Sequence, residues 1–255
     1  MKPVTRPVLL LDHAGRACSV SVVDPTGRVL AERIQREPQR QAEDLALMVN
    51  DSLQEAGLQV RDLSAIACQR GPGSYTGLRI GAALAQGLAL PCDLPLVGVG
   101  TLESMAYAHA MQVGVGSLEQ GEGPTWWVPM IDARRDEVYT GLYSVQAKEH
   151  PDFPELKVWQ EAQPCVPDEK FLIKIQDQKV FFIGDGVAKW HNILSNGGYL
   201  ELWKQASFTY DFYVSSSLWF GLVVNYLERG EFMAPSRLVV DYRKPFFGST
   251  FVKFI

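Results

Sequence analysis

The chain has 255 residues, 47% of them hydrophobic and 21% charged, with a net charge of −5. That is an ordinary soluble globular composition, long enough for one large domain or two lobes. It argues against nucleic-acid binding, which needs clustered Lys and Arg, and no apolar run approaches the ~20 residues of a membrane span.

Pro7 to Asp12 is a continuous apolar run, as expected of a strand buried on both faces. Ala17 to Val23 roughly alternates, Asp24-Pro25-Thr26-Gly27 is a turn, and Arg28 to Ile34 returns as a third strand. A helix is expected from Pro38 to about Ala56, with Leu45, Met48, Val49, Leu53 and Ala56 on one stripe and Gly57 closing it. Leu63 to Cys68 is the next strand, followed by a glycine loop and a helix that must stop before Pro91. Leu94 to Val99 gives a further strand, and Thr101 is expected to cap a helix to about Met111.

Val113 to Pro124 is Gly-rich and reads as a linker, dividing the chain into a first lobe, 1–111, and a second, 112–255. Thr125 to Asp132 and Glu137 to Val145 read as strands joined by a charged turn. Residues 146–167 look irregular. Val180 to Ile183 is a strand ending in Gly184-Asp185-Gly186 with a helix behind it. Phe212 to Arg229 reads as one last long helix that packs back on the first lobe. The order gives an α/β fold of mixed sheets with helices on their faces, as in a ribonuclease H-like or actin-like lobe. No internal sequence repeat is strong enough to establish duplication.

Cys18, Cys68, Cys92 and Cys165 form no C-x-x-C pair and are expected to be reduced and buried. Met1 to Pro7 is too short and Pro-broken for a signal peptide, so the expected compartment is the cytoplasm. Arg237, Arg243, Lys244 and Lys253 form the nearest approach to a basic cluster and read as a solvated tail.

Gln69 to Gly81, Q-R-G-P-G-S-Y-T-G-L-R-I-G, is the most informative stretch. Its glycines around a Pro and two hydroxyls suggest a phosphate cradle opening a helix, with Ser74 or Thr76 as cap. The spacing nevertheless fails three motifs. A P-loop needs Gly-Lys-Ser/Thr, whereas Gly77 is followed by Leu78. Gly71, Gly73 and Gly77 give G-x-G-x-x-x-G rather than G-x-G-x-x-G. Pro72 stands where a nucleophile elbow needs glycine. Gly77, Gly81 and Ala85 recur every four residues and line one side of the helix. Glycine there costs roughly 1 kcal/mol relative to alanine, so something must approach the backbone closely. Two candidates stay open: the chain's own neighbouring element, or a partner. Arg79 opposes the helix dipole, which commits its guanidinium elsewhere.

The motif closely resembles the signature of the TsaB (YeaZ) family, and so do Ala17-Cys18-Ser19-Val20, Leu84 to Leu88, Val97-Gly98-Val99 with Thr101-Leu102, and Ile131 to Arg134 with Glu137-Val138-Tyr139. The resemblance is dense over 8–111, recurs at 128–145 and thins beyond. It implies a two-lobed actin-like ATPase fold and a part in making N6-threonylcarbamoyladenosine at position 37 of tRNA. In that pathway a TsaB-like subunit is a non-catalytic scaffold for its catalytic paralogue TsaD, joined by the ATPase TsaE, and tRNA is touched only indirectly. The implied docking surface lies on the first-lobe helices, at Leu45, Met48, Leu53, Gly77, Arg79, Gly81 and Ala85. A self-complementary version of it would give a homodimer when the partner is absent.

Three places depart from the family pattern. Asp12-His13 replaces Asp-Thr or Asp-Ser after the first strand, Arg36-Glu37-Pro38 replaces R-x-H, and Val239 to Arg243 only echoes P-x-Y-L-R. The catalytic paralogue's H-x-x-x-H metal pair has no counterpart, because His13, His109, His150 and His191 lie more than 40 residues apart. The expectation is no metal, no catalytic residue and no cofactor of its own, with ATP or ADP possible at the partner interface. The alternative is an autonomous actin-like ATPase or kinase, which would hold phosphate at Asp-x-Gly turns. The turns available are Asp12-His13-Ala14-Gly15 and Asp132-Ala133-Arg134-Arg135, with Gly184 and Gly186 flanking an adenosine. Asp12, His13, Gly184 and Gly186 are therefore the candidate nucleotide residues. A peptidase reading finds no nucleophile elbow and no Cys/His neighbourhood.

Overall fold

The computed structural model describes residues 4–37, 40–115, 124–147, 153–165, 178–196 and 206–243. Expectations at Pro38, His150, Lys244 and Lys253, and most of the linker 113–124 and of the stretch 166–178, lie outside those residues.

The first sheet holds β1 (Val8–Asp12), β2 (Cys18–Val23), β3 (Val29–Gln35), β4 (Ala65–Gly71) and β5 (Leu96–Gly100) in the order β3-β2-β1-β4-β5. The first three pair antiparallel, while β4 and β5 join parallel to them. The second sheet holds β6 (Trp126–Asp132), β7 (Val138–Gln146), β8 (Glu155–Cys165), β9 (Val180–Ile183) and β10 (Ala206–Thr209). Its order, β8-β7-β6-β9-β10, repeats the topology of the first strand for strand, antiparallel hairpins then parallel crossovers. A repeat that the sequence does not display is thus present in the connections.

Burial explains the layers. β1 and β2 are buried throughout, because both faces of the first sheet are covered. On one face lie α1 (Gln41–Glu55) and α2 (Tyr75–Ala89), packed over Leu9, Leu11, Val20, Val22, Ile66 and Cys68. Between the two sheets lies α3 (Thr101–Val113), buried at every residue from Thr101 to Ala110, as expected of a helix without a polar stripe. It shares that central layer with α5 (Phe220–Arg229), whose Phe220, Leu222, Val223 and Val224 are buried. α4 (Val187–Asn196) sits on the outer face of the second sheet, where Trp190 packs near Phe182.

Three sequence expectations need correction. β8 is an eleven-residue strand where 146–167 reads as irregular, because residues 157–161 show no alternation of burial. β10 is absent from the sequence reading altogether. The helix expected over Phe212–Arg229 is helical only from Phe220, after a short 3-10 turn at Ser216–Trp219. Serines pull the preceding segment onto the first sheet: the Ser216 N–H donates to Ser19 Oγ (2.7 Å), Ser216 Oγ lies 2.7 Å from Ser21 Oγ, and Ser215 Oγ donates to Glu32. Hydroxyls that bond elsewhere compete with helix formation. Among the cysteines, Cys18 and Cys68 are buried as expected, whereas Cys92 and Cys165 are half-buried; all four are free.

The C-terminal segment Met233–Arg243 ties the sheets together. Met233 exchanges backbone bonds with Leu96 (both 2.9 Å), and Gln86 Nε2 donates to the carbonyls of Pro235 and Leu238. The Asp241 N–H donates to Arg70 O (2.7 Å), and Tyr139 of β7 donates to Tyr242 O (3.3 Å). Among the described residues no helix is long and apolar enough to cross a membrane.

Candidate functional site

The glycine loop is packed by the chain itself. Gly71 has φ +121°, and a Cβ there would lie 2.1 Å from Asp241 O of the C-terminal segment. A Cβ on Gly73 would meet Ala14 O at 2.5 Å. Ser74 caps α2 by accepting from the Gly77 N–H (3.2 Å), and its own N–H is spent on Ala14 O (2.8 Å).

The small-residue stripe of α2 faces inward. Cβ atoms on Gly77 and Gly81 would lie 2.4 Å from His13 O and 2.2 Å from His13 Nε2, and Ala85 is fully buried. Of the two readings left open by the sequence, close packing on the same chain is the one realised for this stripe. Leu45, Met48 and Leu53 are likewise buried beneath α1. Of the seven residues expected at a docking surface, only Arg79 is exposed; its Nη1 donates to Tyr75 OH (2.9 Å) and its guanidinium lies over that ring. The outward faces of the two helices carry Ala46, Leu47, Ala83, Gly87 and Leu90 instead, with Leu47 62% and Leu90 66% exposed. Nothing lies within 4 Å of a Cβ built on Gly87. The signal was present in the sequence as Ala83, Gly87 and Leu90 at helical spacing, but Gly77, Gly81 and Ala85 on the other side of α2 are just as small, so its two smooth faces look alike.

Behind the loop, Gln69 fixes the first hairpin turn. Its Oε1 accepts from the backbone N–H groups of His13 (3.0 Å) and Ala14 (2.9 Å), and its Nε2 donates to Asp12 Oδ2 (2.8 Å) and Ser104 Oγ (2.9 Å). Burial pushes the Asp12 carboxyl up to about 8, against the opposing pull of the Trp219 indole and the Gln69 amide. The carboxyl is therefore neutral at pH 7. Burial also lowers His13 to about 4, so its ring is neutral too.

The corresponding turn in the second sheet is closed by charge. Lys189 of α4 donates to Asp132 Oδ1 and to the carbonyl of Arg135 (2.6 Å). Asp132 Oδ1 also accepts from the Arg134 N–H (2.6 Å). Partial burial works to raise the Asp132 pKa, but Lys189 and these donors outweigh it and hold the carboxyl below its usual range. Asp185 Oδ1 accepts from the Asp132 N–H (2.9 Å), and its Oδ2 lies 3.8 Å from Arg16 Nε of the first turn. The Gly184 and Gly186 N–H groups donate to Thr209 O (2.9 Å) and Met130 O (3.1 Å). They serve the strand-to-helix turn.

The two turns meet across a cavity of about 60 Å³ lined by Asp12, Arg16, Gln69, Thr101, Asp185 and Phe212, among others. Of the four candidate nucleotide residues, Asp12 lines the cavity while His13, Gly184 and Gly186 do not. The Asp12 carboxyl is buried and the Gly184 and Gly186 N–H groups are already bonded, while Arg16 stands on the cavity wall. His109 is buried, its Nδ1 accepting from the Trp127 indole (3.3 Å). Among the described residues no three His, Cys, Asp or Glu side chains gather in a way that could hold a metal ion.

Two mixed five-stranded sheets of repeated topology, with hairpin turns facing across a cleft, define a two-lobed actin-like protein of ribonuclease H-like build. Two structures from Pseudomonas aeruginosa are similar to it at 27% identity. One is described as similar to peptidase YeaZ, with TM-score 0.70 over 94% of this chain and 100% of that one. The other is YeaZ, with TM-score 0.67 over 92% and 100%. The family model described as "TsaD: tRNA N6-adenosine threonylcarbamoyltransferase" matches residues 28–213. The Haemophilus influenzae tRNA threonylcarbamoyladenosine biosynthesis protein TsaB is 35% identical over 187 residues, 72% of this chain and 73% of that protein. Its Escherichia coli namesake is 40% identical over 136 residues, 53% of this chain and 54% of that one. The chain belongs to the TsaB (YeaZ) family.

Proposed function

We propose that this chain takes part in tRNA threonylcarbamoyladenosine biosynthesis as a non-catalytic subunit, pairing with a TsaD-type catalytic paralogue through the outer faces of α1 and α2. Family membership supports the pathway. One observation carries the non-catalytic reading: both turns that an actin-like ATPase would aim at phosphate are filled by the chain's own groups, the His13 ring against Gly81 and Lys189 on Asp132. The pairing face is assigned to Leu47, Ala83, Gly87 and Leu90, with Arg79 at its edge. Small residues there let a partner helix approach the backbone, and exposed leucines supply apolar area. In this reading a TsaE-type ATPase joins through the complex, any ATP or ADP lies at the shared interface, and tRNA is held by the partner. The setting is the cytoplasm, and the lobe boundary falls near residues 111 and 112.

Light scattering on size-exclusion peaks of the chain mixed with its cognate TsaD-type paralogue tests the pairing. The expected result is a stoichiometric complex that Gly87→Arg abolishes while leaving the free chain folded, since that position opens to solvent. Two unshifted peaks, with this chain hydrolysing ATP alone, would overturn the reading and favour the autonomous ATPase.

A further inference from the structure

Across the first sheet, in the order β3-β2-β1-β4-β5, α1 packs over β2 and β3 and α2 over β4. The C-terminal segment, residues 233–241, takes the next place. It begins at β5, where Met233 bonds Leu96, and ends at β4, where the Asp241 N–H donates to Arg70 O. Gln86 of α2 donates to its Pro235 and Leu238 carbonyls, and Tyr242 stacks on Tyr75 at the opposite end of the helix, ring centroids 4.8 Å apart. The segment is therefore a third rib, running alongside α2 on the side away from α1.

Each rib turns a row of side chains outward. On α1 the row is Glu43, Leu47, Asp51 and Gln54; on α2 and the turn after it, Arg79, Ala83, Gly87 and Leu90. Every one of these is exposed. On the third rib Leu238 is buried, which turns its neighbours Arg237 and Val239 outward. Val239, 75% exposed, is the most exposed large apolar side chain among the described residues. Charge is sorted across the ribs. α1 carries Glu43, Asp44, Asp51 and Glu55 and no lysine or arginine, whereas α2 carries Arg79 and no acid. Arg237 adds a second cation on the third rib, where Asp241 is taken by Arg243 Nε (2.6 Å).

We propose that the pairing face is three ribs wide and polarised. The paralogue presents cations to Glu43 and Asp51 and a carboxylate to Arg79 and Arg237, around an apolar seam of Leu47, Leu90 and Val239. A partner docked the other way round would set like charges together, which costs affinity, so the sorting fixes its orientation. The inference rests on the pairing proposed above and adds the C-terminal rib and the partner's charge to it.

Titration calorimetry of the full chain with its cognate TsaD-type paralogue, over a series of salt concentrations, tests it. Binding should weaken as salt rises. Asp51→Lys, Arg237→Glu and Val239→Asp should each raise Kd about tenfold, with the unfolding midpoint of the free chain unchanged because all three positions are exposed. A complex lost with Gly87→Arg but indifferent to Arg237→Glu and Val239→Asp would overturn the third rib and leave the pairing standing. A Kd independent of salt and of both charge reversals would overturn the polarity. Variants that alter only self-association of the free chain would give the face to a second copy and overturn the proposal. A wild-type chain that does not bind the paralogue would overturn the pairing and this inference with it.

Discussion

The turn after β1 and the turn after β6 occupy the same place in two sheets of identical topology, yet opposite physics closes them. Asp12 and His13 are sealed by burial, both neutral, with the Gln69 side chain taking up the backbone N–H groups of the turn. Asp132 remains charged at the surface, held by Lys189 and bordered by Arg134 and Arg135, both with φ positive. A turn can thus be filled by apolar packing or by a charge relay from a neighbouring helix. The first route makes its residues part of the core, while the second leaves them adjustable.

That contrast sets the order of expected effects. The largest belongs to Gly81→Val, which drives a side chain into the His13 ring and should cost about 3 kcal/mol, read as a lower midpoint in thermal or urea unfolding. Had the stripe faced outward, the same change would leave stability untouched. Gly81 substitutions therefore report on the fold, and the docking proposed above is tested at Gly87, where a Cβ meets nothing.

Next comes the pH dependence of the sealed turn. The unfolded chain ionises Asp12 above about 3.8, while the folded chain keeps the proton until about 8, so this residue erodes stability as pH rises from about 4 to 8. Asp12→Asn should remove that erosion and raise stability at pH 8 by on the order of 2 kcal/mol. His13 acts in the other sense. Its folded form stays neutral down to about 4 while the unfolded chain protonates below about 6.5, so its contribution is lost as pH falls through that window. Melting curves of wild type and Asp12→Asn between pH 4 and 9 check both signs; parallel curves would mean that Asp12 ionises in the fold.

The smallest effect belongs to the charged turn. Lys189→Ala should cost less than about 1 kcal/mol, because the pair with Asp132 is partly exposed, and the difference from wild type should shrink in high salt. A loss as large as that of Gly81→Val would erase the distinction between the two turns.

Much of this was legible in the sequence. The strands of the first lobe follow from apolar runs, and the residues of the glycine motif carry the resemblance to the family. The facing of α2 was not legible, because Leu78, Ala82 and Ala85 on its inner side and Ala83, Gly87 and Leu90 on its outer side are equally small or apolar. Only the position of His13, brought from 68 residues away, distinguishes them. β8 escaped notice for the reverse reason: an edge strand open on both faces has no period-two pattern to read. The start of α5 was set by Ser19, Ser21 and Glu32, partners nearly 200 residues distant in the chain.

The central claim is that this chain supports a catalyst without performing chemistry. Threonylcarbamoyl transfer to tRNA, reconstituted from the TsaD-type and TsaE-type proteins with this chain, tests it most directly. Asp12→Asn and Lys189→Ala should support transfer as well as wild type does, while Gly87→Arg should lose both complex and transfer. Loss of transfer in Asp12→Asn with the complex intact would contradict the account and make the sealed turn a working part of the reaction.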